Sequence, residues 1–304
     1  MGTGLMASMT ESQPIPEQLV ADLVFLLDLE PKGGDRFIGR RHPEGTGRVY
    51  GGQAIAQALG AARRTVSADR EAHSLHAYFL RPGTDSEPIE YRVKRDLDGR
   101  SFSNRRVVAS QGGEPILNLV ASFQRPVDGP HVQSHEMPDV PPPEALTPDR
   151  EIRAGLAEHV KGETIRRLLL RPQPVDVRSV EPRDWLDPQK RAAKAHVWFR
   201  AVAPLPEEIA VHRAVLAYIS DFQILATALQ PFGKTYYTGQ VKSASLDHAI
   251  WFHEPFRVDE WLLYVTDSPW AGRGRGYARG QIFTRDGRLV ASVSQEGMLR
   301  HLAD

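Results

Sequence analysis

The chain of 304 residues contains no cysteine. That absence excludes a disulfide framework, a thiolate zinc site, an iron–sulfur cluster and a cysteine nucleophile, and it fits a reducing compartment. Net charge is absent too, since 38 Lys plus Arg balance 38 Asp plus Glu. No global basic field is available to hold nucleic acid or an anionic membrane, so only a local basic pocket could meet an anion. Long apolar runs are also missing: the longest, Leu19 to Leu29, is broken by Asp22 and Asp28 and is far too short to span a bilayer. Five acidic residues precede the first basic one, Lys32, unlike a secretory signal, and His301-Leu302-Ala303-Asp304 matches no peroxisomal or retention signal. The expected location is cytoplasmic, with no nucleic-acid partner and no stable membrane insertion.

What is present is two similar stretches separated by prolines. Residues 1–17 lack periodicity and read as a disordered tail. Order is expected from near Gln18, where Leu19, Leu23, Leu26 and Leu27 fall at helical spacing. Residues 18–128 then form a first unit: a helix from Gly51 to about Val66, and strands at Ser74–Leu80, Ile89–Arg95, Phe102–Ser110 and Ile116–Gln124, the last two joined at Gly112-Gly113. Residues 129–188 carry most of the Pro126 to Pro188 series and read as a linker holding one helix between Asp149 and Leu170. Residues 189–304 form a second unit: strand Ala195–Val202, a helical run Glu207–Leu229 stopped by Pro231, and strands Ser243–Phe252, Trp261–Thr266, Gly276–Thr284 and Arg288–Met298.

The second unit repeats the first. Aligned on Pro82 and Pro255, a shift of 173, the halves match without a gap over 50 positions, with Phe79/Phe252, Glu87/Glu260, Tyr91/Tyr264, Gly99/Gly272 and Arg106/Arg279 among eight identities. Ala54–Leu59 matches Ile224–Leu229 at a shift of 170, which sets Gly51 opposite Asp221. A duplicated unit of one helix and about five antiparallel strands follows.

Three polar residues stand in apolar places. Asp221 lies beside the helix stripe Val215, Tyr218, Ile219, Phe222, Leu225 and Leu229. A carboxylate there needs donors or a purpose: it is a cap, a satisfied core group or a functional one. In the last strand, alternation puts Gln295 behind Leu289, Ala291 and Val293, so its amide needs partners at both ends. Ser245 and Asp247 share a face with Ala249 and Trp251, where an ordinary edge-strand role is the simpler reading. The odd separations of His73/His76 and His248/His253 put each pair on opposite faces, against a shared metal. Gly272-Arg273-Gly274-Arg275-Gly276 reads as a glycine-rich hairpin, since no strand-to-helix phosphate-loop context surrounds it, and no GxSxG elbow occurs.

Gly51-Gly52-Gln53, His73–Gly83 (HSLHAYFLRPG), Leu246–Phe256 (LDHAIWFHEPF) and Val290–Gly297 (VASVSQEG) closely resemble the bacterial acyl-CoA thioesterase II family, over about Leu19 to Arg300. The resemblance implies an α+β double hotdog, two tandem units each wrapping an antiparallel sheet around a central helix. It also implies a catalytic trio of helix Asp, a hydroxyl before the Asp-His motif, and the Gln of Gln-Glu-Gly: here Asp221, Ser245 and Gln295. Ser245 stands where the best-known family example has Thr, keeping the hydroxyl without the stiff β-branch. The implied reaction is hydrolysis of fatty acyl-CoA to free acid and CoA by a water that Asp221 deprotonates, with no metal and no cofactor. Arg273, Arg275 and Arg279 are candidates for the CoA phosphates, and a homo-oligomer is expected. Two alternatives remain open: a non-catalytic acyl-CoA-binding hotdog protein, and an enoyl-CoA hydratase.

Overall fold

In the computed structural model, which describes residues 14–42, 47–236 and 239–301, the ordered chain opens with helix α1 (Pro16–Leu27), two residues ahead of Gln18. Pro16 has no N–H to leave orphaned in the first turn, and Val20, Leu23, Leu26 and Leu27 bury one stripe. A hairpin follows, β1 (Leu29–Gly33) and β2 (Arg36–Gly39), then α2 (Gly51–Arg63), β3 (Glu71–Phe79), β4 (Ile89–Asp98), β5 (Phe102–Gln111) and β6 (Glu114–Gln124). The connector holds two helices rather than one, α3 (Asp149–Ala157) and α4 (Glu163–Leu170), because Gly162 is extended and starts the second afresh.

The second half comprises β7 (Val175–Ser179), β8 (Lys194–Ala201), α5 (Ile209–Ser220), α6 (Ile224–Thr227), β9 (Val241–Ser245), β10 (Asp247–Phe252), β11 (Leu262–Gly272), β12 (Arg275–Thr284) and β13 (Leu289–His301). The run Ile209–Phe232 is long and apolar enough to cross a membrane by composition alone. It is instead interrupted between Ser220 and Ile224, and α5 packs against α2 in the core.

All strand pairings are antiparallel and the sheet order is β1-β2-β4-β5-β6-β3-β10-β13-β12-β11-β8-β7, with β9 added on β13. Read inward from both ends, this order is a palindrome: β1 answers β7, β2 answers β8, and so on to the central β3–β10 pair. The fold is therefore a double hotdog of class α+β, with α2 and α5 as the two central helices. α2 is buried nearly all round, its Ala54, Ile55, Ala56, Ala58, Leu59, Ala61 and Ala62 lying within one core shared by both halves.

The strand registers refine the repeat. β5 pairs Arg105 with Ala121, and its counterpart β12 pairs Ala278 with Gln295, so Ala121 is the counterpart of Gln295. β13 runs one residue out of step because its hairpin turn, Arg285-Asp286-Gly287, is one residue longer than Gly112-Gly113. The helix match at a shift of 170 is corrected: the counterpart of α2 is α5, not the region of α6. First-half chain passes directly from α2 to β3, whereas second-half chain inserts α6 and the start of β9; the end of β9, where Ser245 pairs with Gly297, answers the start of β3, where Ala72 pairs with Phe123. Gly51 is not the counterpart of Asp221 but its neighbour.

Candidate active site

The stripe Val215, Leu216 and Ile219 buries α5, which ends at Ser220. Asp221 is its C-cap, at a break in the single helix expected from Glu207 to Leu229. Gln223 makes the break with φ 62, a left-handed conformation uncommon outside glycine, and Arg183 Nη2 donates to its Oε1 at 3.2 Å. The carboxylate of Asp221 thus hangs off a helix end, half-buried, instead of lying along the stripe.

Three donors converge on it. Gln295 Nε2 donates to Asp221 Oδ1 at 2.9 Å, Ser245 Oγ donates to the same oxygen at 3.4 Å, and the backbone N–H of Gly52 also reaches the carboxylate. Burial pushes the Asp221 carboxyl up to about 6, against the opposing pull of Gln295, Gly52 and Ser245. The Gly52 contact comes from the first half, through the N-terminus of α2. No side chain is tolerated beside it: a Cβ on Gly51 would lie 2.6 Å from Asp221 Oδ2, and one on Gly52 would lie 2.2 Å from the Tyr218 carbonyl oxygen. Gly52→Ala should therefore push α2 from α5 and destabilise the fold by about 1–3 kcal/mol, read as a lowered Tm in thermal unfolding.

Gln295 lies on the inner face of β13, 1% exposed, as alternation indicated. Its amide is oriented by a residue that sequence reasoning missed. His248 Nδ1 sits 2.6 Å from Gln295 Oε1, and His248 Nε2 sits 2.9 Å from Ser220 Oγ. Burial pushes the imidazole down to about 4, so it is neutral at physiological pH and can donate from one nitrogen only. Oε1 can only accept, so Nδ1–H is the donor and Nε2 accepts from the Ser220 hydroxyl. The amide NH2 is thereby turned to Asp221 and, at 2.7 Å, to Ser245 Oγ. The sequence signal was available: His248 shares its face with Ile250 and Phe252, both buried.

Ser245 does not share the face of Asp247, Ala249 and Trp251. β9 pairs Ser245 with Gly297 while β10 pairs Ala249 with Ser294, a register slip of one residue at Leu246. A one-residue slip exchanges faces, so the Ser245 hydroxyl turns inward to Gln295. Asp247 accepts the Glu296 N–H at 2.6 Å and clasps the start of β10 to β13. Gly297 completes the Gln-Glu-Gly run because a Cβ there would meet Leu225 Cδ2 at 2.3 Å.

Tyrosines buttress the same corner. Tyr50 donates to the Tyr218 carbonyl and Tyr264 to that of Ser220, each at 2.9 Å, satisfying C-terminal carbonyls of α5. Burial first, then the Asp221 charge, holds both phenols protonated by pushing them up.

The three candidate arginines are not brought to this cluster. Arg273 occupies the β11–β12 turn with φ 50. Arg275 and Arg279 alternate with Gly276 and Ala278, so they point away from the face that carries Gln295. Arg275 pairs with Glu296 at 3.3 Å and Arg279 with Asp267 at 2.7 Å. Among the described residues, no three His, Asp or Glu side chains are grouped to hold a metal ion.

Comparison with known proteins places the chain among relatives. Residues 172–298 match a family model described as acyl-CoA thioesterase, and residues 40–124 match one described as acyl-CoA thioesterase N-terminal domain. Acyl-coenzyme A thioesterase 8 of Homo sapiens is 39% identical over 281 residues, 90% of this chain and 88% of that protein. Acyl-CoA thioesterase 2 of Haemophilus influenzae is 38% identical over 93% of this chain and 98% of its own length. The crystal structure of an acyl-CoA thioesterase II from Mycobacterium marinum is similar with a TM-score of 0.75 and 40% identity, covering 91% of this chain and 98% of that one.

Proposed function

This chain belongs to the acyl-CoA thioesterase family and is a thioester hydrolase, and from that premise we propose that Asp221, Ser245 and Gln295 hold and activate the water that hydrolyses a fatty acyl-CoA. The observation that carries this reading is the double donation of Gln295 Nε2, to Asp221 Oδ1 at 2.9 Å and to Ser245 Oγ at 2.7 Å, beside a carboxylate pushed up to about 6. Such a carboxylate is still ionised at neutral pH and a better proton acceptor than an ordinary Asp.

Water held by Asp221 and Ser245 gives its proton to Asp221 as its oxygen bonds the thioester carbon. The carbonyl oxygen becomes an oxyanion, which needs a donor. Both Gln295 amide hydrogens are already committed, and the Gly52 N–H serves Asp221. The first-turn N–H of Gly51 has no intrahelical acceptor and lies at the positive end of α2, so it is the donor this reading assigns. Collapse of the intermediate breaks the C–S bond. The CoA thiolate is a far better leaving group than an alkoxide and takes the proton stored on Asp221. The products are a fatty acid and CoA, with atoms and charge balanced.

Since the ionised form of Asp221 is the active one, kcat/KM is expected to be level above pH 7 and to fall about tenfold per unit below a midpoint near 6. A profile flat from pH 5 to 8 would exclude Asp221 as the base. The reaction itself is tested with a chain-length panel of acyl-CoA thioesters and a thiol-reactive dye, because a chain with no cysteine adds no background to the released CoA. Failure to release thiol from any member would overturn the reading.

A further inference from the structure

The palindromic fold has two poles. α2 and α5 lie antiparallel, so Gly51 meets Asp221 at one end, while the far end, about 20 Å away at 1.5 Å per residue, brings Arg63 close to Arg213. At this second pole lies a cavity of about 510 Å³, lined by α1, the C-terminal half of α2, the start of β3 and the first turns of α5. Its volume lies within the range of small-molecule sites.

Each catalytic position has a counterpart here. Asp221 is the C-cap of α5, and Arg64 is the C-cap of α2. Ser245 is answered by Ala72 at the shift of 173, and Gln295 by Ala121. Arg105, on the strand beside Ala121, is 1% exposed and bonds Thr65 and Asp98 just past the end of α2. The pole has therefore lost base, hydroxyl and amide and gained cations.

Those cations are not fully used. Arg213 is 8% exposed, its Nη2 donates to Glu71 at 2.7 Å, and its Nε is buried without a hydrogen-bond partner. Among the described residues, Arg63 donates to the carbonyls of Val66 and Ala68, at 3.5 and 3.2 Å, and to no carboxylate. Asp28 and Glu71 are paired with Arg64 and Arg213, and Glu208 stands exposed at the N-cap of α5 without a side-chain capping bond. The walls between are apolar: Val24, Leu27, Leu59 and Val215.

We propose that this cavity is a second, non-catalytic acyl site that takes a long-chain fatty carboxylate, its tail along α1 and its head on Arg213 and Arg63. The ligand is of the same class as the product proposed for the Asp221 pole, and the symmetry argument rests on that reading. A carboxylate carries no bond for the second pole to break, so occupancy there can act only through binding.

The test is isothermal titration of dodecanoate into the full chain. Ala214→Phe, which projects a ring into the cavity from α5, should remove one bound equivalent per chain, and Arg213→Gln should weaken that equivalent at least tenfold. Equal stoichiometry in wild type and Ala214→Phe overturns the proposal. A second measurement does not depend on filling the cavity: Ala68→Cys places the sole thiol of the chain at the exposed rim, where it can carry an environment-sensitive dye. A saturable emission shift with dodecanoate, at least tenfold weaker with its methyl ester, supports the site. No saturable shift, or equal response to the ester, overturns it. Failure of the catalytic reading is separate, since it would show as thiol release surviving Asp221→Asn with the dye shift unchanged.

Discussion

Asp221→Asn is expected to lower kcat/KM by about 10³-fold while making the protein more stable. Asn keeps the size and one acceptor oxygen of the carboxylate, so the Oδ1 contacts with Gln295 and Ser245 lose little geometry, while the Gly52 N–H loses its charged acceptor and offsets part of the stability gain. What disappears is the proton acceptor. The stability gain follows from the same burial that tunes the base. In the fold, the Asp221 carboxyl is pushed from 3.8 to about 6, so ionising it costs the native state on the order of 3 kcal/mol relative to the unfolded chain. The sign is that of a raised pKa: the favourable protonated form is fully present below pH 3.8 and is lost as pH rises through about 6. At pH 7 the wild type bears this cost and the Asn variant does not. Thermal unfolding at pH 7 and at pH 4 checks it, the Tm advantage of the variant shrinking at the lower pH. Retention of more than a tenth of wild-type turnover in a folded variant would remove Asp221 from the chemistry.

That the Asp221 carboxylate is destabilised by burial in this way bears on what a sequence can reveal. The repeat was legible because turn glycines, prolines and core aromatics recur at a constant interval, and the strands from β3 to β6 and from β10 to β13 follow from alternation. The hairpin β1–β2 was not legible: Pro31 and the Gly33-Gly34 turn break alternation, and β1 has one buried residue, Leu29. The helix break at Asp221 was hidden because apolar spacing continues unbroken from α5 through α6. Only the tertiary packing of Leu225 against Gly297 shows that α6 turns to cover a different part of the sheet.

The site was legible as a set of residues, not as an arrangement. Gln295 announced itself because alternation is reliable on a long strand. Alternation alone puts Ser245 on the wrong face, because the slip at Leu246 is set by pairing to β13, which no local pattern encodes. His248 reads by spacing as a poor metal partner for His253, although its apolar row with Ile250 and Phe252 marks it as a buried polar group. The contribution of Gly52 was invisible for a different reason: it joins the two halves, and a backbone N–H leaves no signature in residue type. The second half holds the side chains, but the first half closes the site with the start of α2.

Gln295→Ala is expected to cost about 10²-fold in kcat/KM at pH 8 and more at pH 6. The amide does two things, and the pH dependence separates them. It positions Ser245 and the water, a loss that applies at every pH. It also donates to the ionised form of Asp221, which lowers that carboxyl against the larger effect of burial. Removing the donor therefore raises the Asp221 pKa above about 6 and moves the acid limb of the profile to higher pH. A purely structural Gln would give the same fold-loss at both pH values, or a limb that does not move. His248→Phe gives the intermediate case. It keeps a buried ring but removes the Nδ1–H that holds Oε1, so the amide can turn its oxygen towards Asp221. A carbonyl oxygen facing the carboxylate repels the ionised form. The limb should move in the same direction as in Gln295→Ala, with a loss of about tenfold, since the amide still samples the productive orientation for part of the time. A His248→Phe variant with wild-type rate and an unmoved limb would show that the orientation of Gln295 is fixed by Asp221 and Ser245 alone.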